Sequence, residues 1–207
     1  MFPICSLSEK SGGSLHIHIV GTCHKTQILT DLVRRKALGA APASKLEAFE
    51  KYLTETACRL GVVAIAEEMS EDRIRDYGHN AKSVAQSAAE KLKIAHLFCE
   101  PDQNARRELG LRAGQEMAHH ASQIAERDHG DFEQVYREEV RKQFPVREAF
   151  WASRLEVYEP LDNSILFVCG ADHCETFLQT LHQAHVDAQV CCADWTVIAE
   201  ISCPCCM

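Results

Sequence analysis

The chain lacks the features that mark several large functional classes. It has no run of the roughly 18–20 apolar residues needed to cross a bilayer. Its first residues, MFPICSLSEKSGGSLHIH, hold no basic stretch followed by an apolar one, so no secretory leader is predicted. Positive charge is scarce. The 22 Lys and Arg stand against 30 Asp and Glu, for a net charge of −8. Arg34-Arg35-Lys36 is the only basic triplet, so nucleic acid is a poor partner for this surface. Neither a Walker loop nor a GxGxxG run is present, which leaves nucleotide cofactors without support. These absences predict a cytoplasmic chain that binds small molecules or peptides, with no membrane partner; self-association stays open.

What is present fits a layered globular domain. The 207 residues are 46% hydrophobic and 25% charged, enough to bury a core without staples. The 11 cysteines are odd in number, which argues against a disulfide framework and for reduced thiols. Cys99 and Cys169 sit in apolar strand-like stretches, where a thiol behaves as a small hydrophobe. The tail CPCC, at 203–206, does not have the spacing of a zinc pair.

Hydrophobic periodicity predicts five strands, at 15–20, 61–66, 94–99, 164–169 and 188–192. Helical patterns fall between them. Ser44 and Glu47 form a capping box for one helix, and Gly61 is its stop. Asn80 is a candidate N-cap for a second, over about 80–93. The region from Ala105 to about Leu155 reads as two or three helices broken near Gly110, Gly130 and Pro145. A last helix runs from Cys174 to His185, and the tail TVIAEISCPCCM suggests a short edge strand. Alternating strands and helices predict an α/β domain with a mainly parallel sheet of about five strands flanked by helices. The organisation expected is a lead at 1–13, one domain at 14–200 with a helical insert at about 103–158, and a Cys-rich tail at 201–207.

Two short motifs echo each other. GTCH ends the first strand with Gly21 and offers His24. GADH ends the fourth with Gly170 and offers Asp172 and His173. A glycine at a strand end lets the backbone turn sharply or pass close to a ligand. Each motif alone reads as a turn glycine with a surface histidine, and Asp172 alone as an N-cap. Together they suggest two halves of one site beyond the carboxyl ends of parallel strands. Glu67-Glu68 follows another strand, and alternation sends the two carboxylates to opposite faces. Two histidines and a carboxylate suit a divalent metal with an open position for water. The same groups without metal suit acid–base chemistry. Arg147 and Trp151 share one helix face with Arg154 and Tyr158; the bland alternative is an amphipathic core helix.

IHIVGTCH (17–24), VVAIAEEMSEDR (62–73), REAFWASRL (147–155) and ILFVCGADH (165–173) together resemble the TraB/Tiki superfamily, with its ChaN-like haem-binding and erythromycin-esterase-like relatives. The Glu-x4-Arg spacing of Glu68 and Arg73 places the family glutamate at Glu68, with Glu67 the second choice. The resemblance implies a pseudo-two-fold α/β core and a metal-assisted hydrolase, a peptidase or esterase. His24, Glu68 and His173 would be the metal ligands and catalytic groups, with Arg147 as the family arginine. Gly21, Glu67, Arg73, Trp151, Gly170 and Asp172 would support them, and Asp172 or Glu175 would orient His173. The alternative is a non-catalytic protein that binds metal, haem or a small ligand in the same cleft. This sequence departs from the family pattern in Val146, where an acid usually precedes the arginine, and in GADHCETF for the second motif.

Overall fold

A computed structural model of the chain describes residues 15–29, 41–78, 80–161 and 163–198. The expected lead at 1–13 and tail at 201–207 lie outside the described residues. All five predicted strands form. They are β1 (His16–Thr22), β3 (Ala64–Glu67), β5 (Ala95–Phe98), β6 (Ser164–Gly170) and β7 (Asp187–Cys192). Their order across the sheet is β5-β3-β6-β1-β7, and every neighbouring pair is parallel. A separate antiparallel pair joins β2 (Ile28–Leu29) to β4 (Lys82–Ser83).

The helices are α1 (Ala43–Leu60), α2 (Glu71–Asp76), α3 (Val84–Leu92), α4 (Gln103–Glu108), α5 (Gly114–Asp128), α6 (Phe132–Arg141), α7 (Phe144–Leu155), α8 (Cys174–Gln183) and α9 (Trp195–Ile198). Strand alternation sorts the core into two layers. Val20, Ile65, Leu166 and Val168 face Leu46, Phe49 and Leu53 of α1, Val84 and Ala88 of α3, and Trp195. Ile17, Ile19, Ala66, Ile165 and Phe167 face Trp151 and Leu155 of α7 and Phe177 and Leu181 of α8. A sheet covered on both faces is the usual condition of parallel strands, and it explains their near-continuous apolar runs.

Connectivity sets the place of the site. The chain leaving β1 crosses one face through α1 and enters β3; the chain leaving β6 crosses the other face through α8 and enters β7. The neighbours β1 and β6 thus send their connections in opposite directions. A crevice opens at such a switch point, beyond the carboxyl ends of the strands.

Four local expectations are corrected. The first helix starts at Ala43 with Pro42 at the N-cap, and no side chain caps it, so Ser44 lies inside the helix. Asn80 is not a cap: Ser83 accepts from Gln86 N and starts α3, while Lys82–Ser83 is drawn into pairing with β2. The 105–155 region holds four helices; Pro145 stands in the first turn of α7, where its missing N–H costs nothing. Trp195–Ile198 is helical, with no edge strand over its described part.

Candidate active site

The two glycine–histidine units are built alike. β1 and β6 run side by side with Thr22 opposite Gly170, and each ends in a single 3-10 turn, His24–Thr26 and Ala171–His173. A Cβ at Gly21 would lie 2.0 Å from Ala193 O and 2.4 Å from Cys174 Sγ, so only glycine lets the chain pass there. A Cβ at Gly170 would lie 3.1 Å from the His24 ring and 3.3 Å from Glu68 Oε2. Thr22 Oγ1 donates to Thr26 Oγ1 at 2.6 Å, and Thr26 Oγ1 donates to Cys23 O at 2.6 Å, which holds the first turn closed.

Glu68 is the centre of the arrangement. Its Oε2 accepts the Gly170 N–H at 2.7 Å. Its Oε1 accepts from Arg147 Nη2, and lies 3.6 Å from His173 Nε2 and 4.0 Å from His24 Nε2. Burial alone would raise this carboxyl. Arg147, then His24, His173 and the Gly170 amide, together outweigh that effect and hold it at about 2. Glu68 is therefore ionised across the working pH range.

Arg147 comes from α7, at the start of the helical insert's last segment. Nε donates to Glu100 at 3.1 Å, Nη2 donates to Glu100 Oε2 at 2.9 Å, and Nη1 faces His173 Nε2 at 3.2 Å. The guanidinium lies over the Trp151 ring, 5.2 Å from its centroid, and Trp151 Nε1 donates to the same Glu100 oxygen at 2.9 Å. Burial opposes the charge on Arg147, but Glu68 and Glu100 hold its proton more tightly than usual. Arg106 closes the other side of Glu100 at 2.7 Å.

The tautomer of His173 follows from its partners. Arginine has only donors, so His173 Nε2 must accept from Nη1. Its proton is then on Nδ1, which donates to Glu148 Oε1 at 2.7 Å. The hydroxyls of Thr176 and Thr180 donate to Glu148 at 2.5 and 3.2 Å. The ring lies tilted against Phe144 and edge-on to Trp151, at centroid distances of 3.6 and 4.8 Å. The two histidines differ sharply in access: the His24 side chain is 63% exposed and that of His173 is 3% exposed. His24 faces the cleft, and His173 is sealed beneath Arg147.

The supporting residues separate. Glu67 points to the opposite sheet face, as alternation requires, where its Oε1 accepts from Ser83 Oγ and lies 2.7 Å from His96 Nε2. Arg73 is exposed and lies over Tyr77, 5.3 Å from the ring centroid. Asp172 and Glu175 are exposed. The orienting carboxylate of His173 is Glu148, not either of these, because they lie on the outer side of the turn. Glu100 follows a predicted strand and Glu148 stands beside Arg147 at a predicted helix start, and both join the site although neither is among its expected members. Glu148 had a signal: it stands on the stripe Phe144, Glu148, Trp151, Leu155, all four buried. That stripe is the core face of α7, while Arg154, grouped with Arg147 by spacing, is exposed.

The residues as arranged do not fit a divalent metal. Two of the three expected ligand atoms, His173 Nε2 and Glu68 Oε1, are engaged by the Arg147 guanidinium, a cation already in the place a metal would take. Among the described residues no three His, Cys, Asp or Glu side chains are grouped to hold one. What remains is a cleft of about 690 Å³ with His24, Glu68 and Arg147 at its base and Ile28, Met69, Tyr77 and Met117 among its walls. It is of the size that encloses small ligands. Among the described residues no helix is long and apolar enough to cross a membrane. No family model, no curated protein and no solved structure matches this chain.

Proposed function

We propose that the chain is a hydrolase of the TraB/Tiki type, acting on a small-molecule or peptide substrate in this cleft. The observation that carries the reading is the convergence of His24 and Arg147 on an ionised, buried Glu68 at the floor of the cleft, with His24 alone of the two histidines open to it. In this reading His24 Nε2 takes a proton from an attacking water. The imidazolium that forms is 4.0 Å from Glu68 Oε1, whose charge stabilises it. Arg147 has five N–H groups, and its contacts to Glu100, His173 and Glu68 engage four of them. The remaining hydrogen on Nη1 is the donor for a developing oxyanion. His173 and Glu148 are positioning residues that fix Nη1.

The test is a panel of ester, amide and phosphoester substrates, run with wild type and His24→Ala. A turnover that falls about 100-fold or more in the variant supports the reading. Equal turnover in the two proteins overturns it. Metal analysis of wild type, His24→Ala and His173→Ala addresses the metal-assisted form of the same reading. Stoichiometric metal lost in both variants would restore that form, and equal content in all three removes it. A Soret band in the purified protein would instead favour the haem-binding alternative.

A further inference from the structure

The stretch that leaves β7 touches both glycine–histidine units. Ala193 O crowds Gly21 in the first unit and accepts from Cys174 Sγ, just after the second, at 3.4 Å. Thr196 Oγ1 accepts the Cys23 N–H at 3.1 Å and lies 3.4 Å from Thr22 Oγ1. Trp195, between these two contacts, is buried and packs on Phe49 of α1 with ring centroids 4.7 Å apart. The Thr196 amide donates to Asp194 Oδ1 at 2.9 Å. Thr196 is thus anchored by the core and by its own segment, apart from the turn it contacts.

A hydroxyl has one hydrogen to give, and this sets the direction of every bond in the group. Thr26 gives its hydrogen to Cys23 O at 2.6 Å, so toward Thr22 it can only accept. Thr22 has then spent its hydrogen on Thr26, so toward Thr196 it can only accept. Thr196 accepts in turn from the Cys23 N–H. The bonds run one way round, from the Cys23 N–H through three hydroxyls and back to the Cys23 carbonyl. Thr22 and Thr26 are each 1% exposed, so bulk water does not stand in for these partners.

We propose that Thr196 is a positioning residue of the site: by closing this ring of hydrogen bonds on Cys23, it sets where His24 stands against Glu68 and Gly170. The Cys23 carbonyl belongs to the peptide that leads into His24, so the ring holds the base at its backbone. The backbone matters here because the His24 side chain is largely exposed and is not wedged in place by packing. Its contacts in the site are Gln27 Oε1 at 3.4 Å from Nδ1, Glu68 Oε1 at 4.0 Å from Nε2, and the backbone at Gly170. This role rests on the reading of His24 as the base. It makes the stretch after β7 a third part of the site, beside the two glycine–histidine units.

Thr196→Val removes the hydroxyl and Thr196→Ser keeps it. Cys23 is exposed, so water can take up its N–H in Thr196→Val, and the variant is expected to fold. Two NMR readouts on the full chain need no turnover, so they stand apart from the hydrolase assay. The first is exchange of the Cys23 amide hydrogen, expected to be at least about tenfold slower in wild type and Thr196→Ser than in Thr196→Val. The second is the Overhauser contact between the His24 Cε1 hydrogen and the Gly170 Cα hydrogens, which the approach of that ring to Gly170 requires. It should be strong in wild type and Thr196→Ser and weak or absent in Thr196→Val. On a substrate from the panel, Thr196→Val should lose about 10- to 100-fold in kcat with KM changed by less than about twofold, and Thr196→Ser should recover most of the loss. A Cys23 amide that exchanges equally fast in all three proteins overturns the proposal. So does an Overhauser contact or a kcat unchanged in Thr196→Val, or a loss there that Thr196→Ser does not restore. Should His24→Ala turn over substrate as wild type does, the hydrolase reading falls while the two NMR readouts still report the placement of His24.

Discussion

Glu68 sits almost out of water and still carries its charge, and acid stability follows from how it does so. Its carboxyl is held at about 2, against an ordinary 4.5. A depressed pKa stabilises the fold above the unfolded value and is lost as pH falls toward the folded one. The window is therefore pH 4.5 down to about 2. Each pKa unit is worth about 1.4 kcal/mol, so the full effect is roughly 3 kcal/mol. Glu68→Gln should be less stable at pH 7 by a similar amount, and its stability should change less than that of wild type on going from pH 5 to pH 3. Urea unfolding of both proteins at the three pH values measures this. Parallel losses in the two proteins would mean that Glu68 is not the group that titrates.

Helix starts show where local sequence rules hold and where tertiary contacts overrule them. Ser83 caps α3 through Gln86 N and also donates to buried Glu67. Ser83→Ala removes a cap and a buried bond together, and should destabilise by about 2 kcal/mol, half from each. Ser44→Ala should be within about 0.5 kcal/mol of neutral, since Ser44 caps nothing. Thermal unfolding of the two variants separates the cases; a large loss at Ser44 would contradict the helix start at Ala43. The same contrast explains what was legible in the sequence. β1, β3 and β6 announced themselves because each is buried on both faces, and the edge strands β5 and β7, largely exposed or half-buried, through shorter apolar stretches. Gly61 was legible as the end of α1 because its φ of 63° is a local demand. The β2–β4 pair was not legible, since two residues carry no periodicity and their pairing is imposed by distant chain. His24, Glu68, Arg147 and His173 were legible as a group through their strand-end and helix-start settings. Their division of labour was not, because exposure of one histidine and burial of the other depends on where α7 lands.

At the scale of the whole molecule, Arg147 is the point where the helical insert meets the sheet. Its guanidinium touches Glu68 beyond β3, Glu100 beyond β5 and His173 beyond β6. These three strand ends are separated in sequence by two crossovers, the second of which is the helical insert, and one side chain on α7 joins them. Removing one partner from a buried ion cluster leaves the others charged and without their counter-ion. Arg147→Met should therefore cost about 3–5 kcal/mol, more than the hydrophobic surface it regains. Glu68→Gln in the same chain removes one of the stranded carboxylates, so the double variant should be more stable than the sum of the single losses predicts. A coupling of at least about 1 kcal/mol is expected from a double-mutant cycle in urea, because the two groups are in direct contact. Trp151→Phe provides the contrast. It breaks the indole bond to Glu100 but leaves the guanidinium in place, so its effect should add to that of Glu68→Gln nearly without coupling. If Arg147 and Glu68 proved additive, the insert would be held by the apolar stripe of α7 alone. The charged cluster would then serve the cleft without serving the fold.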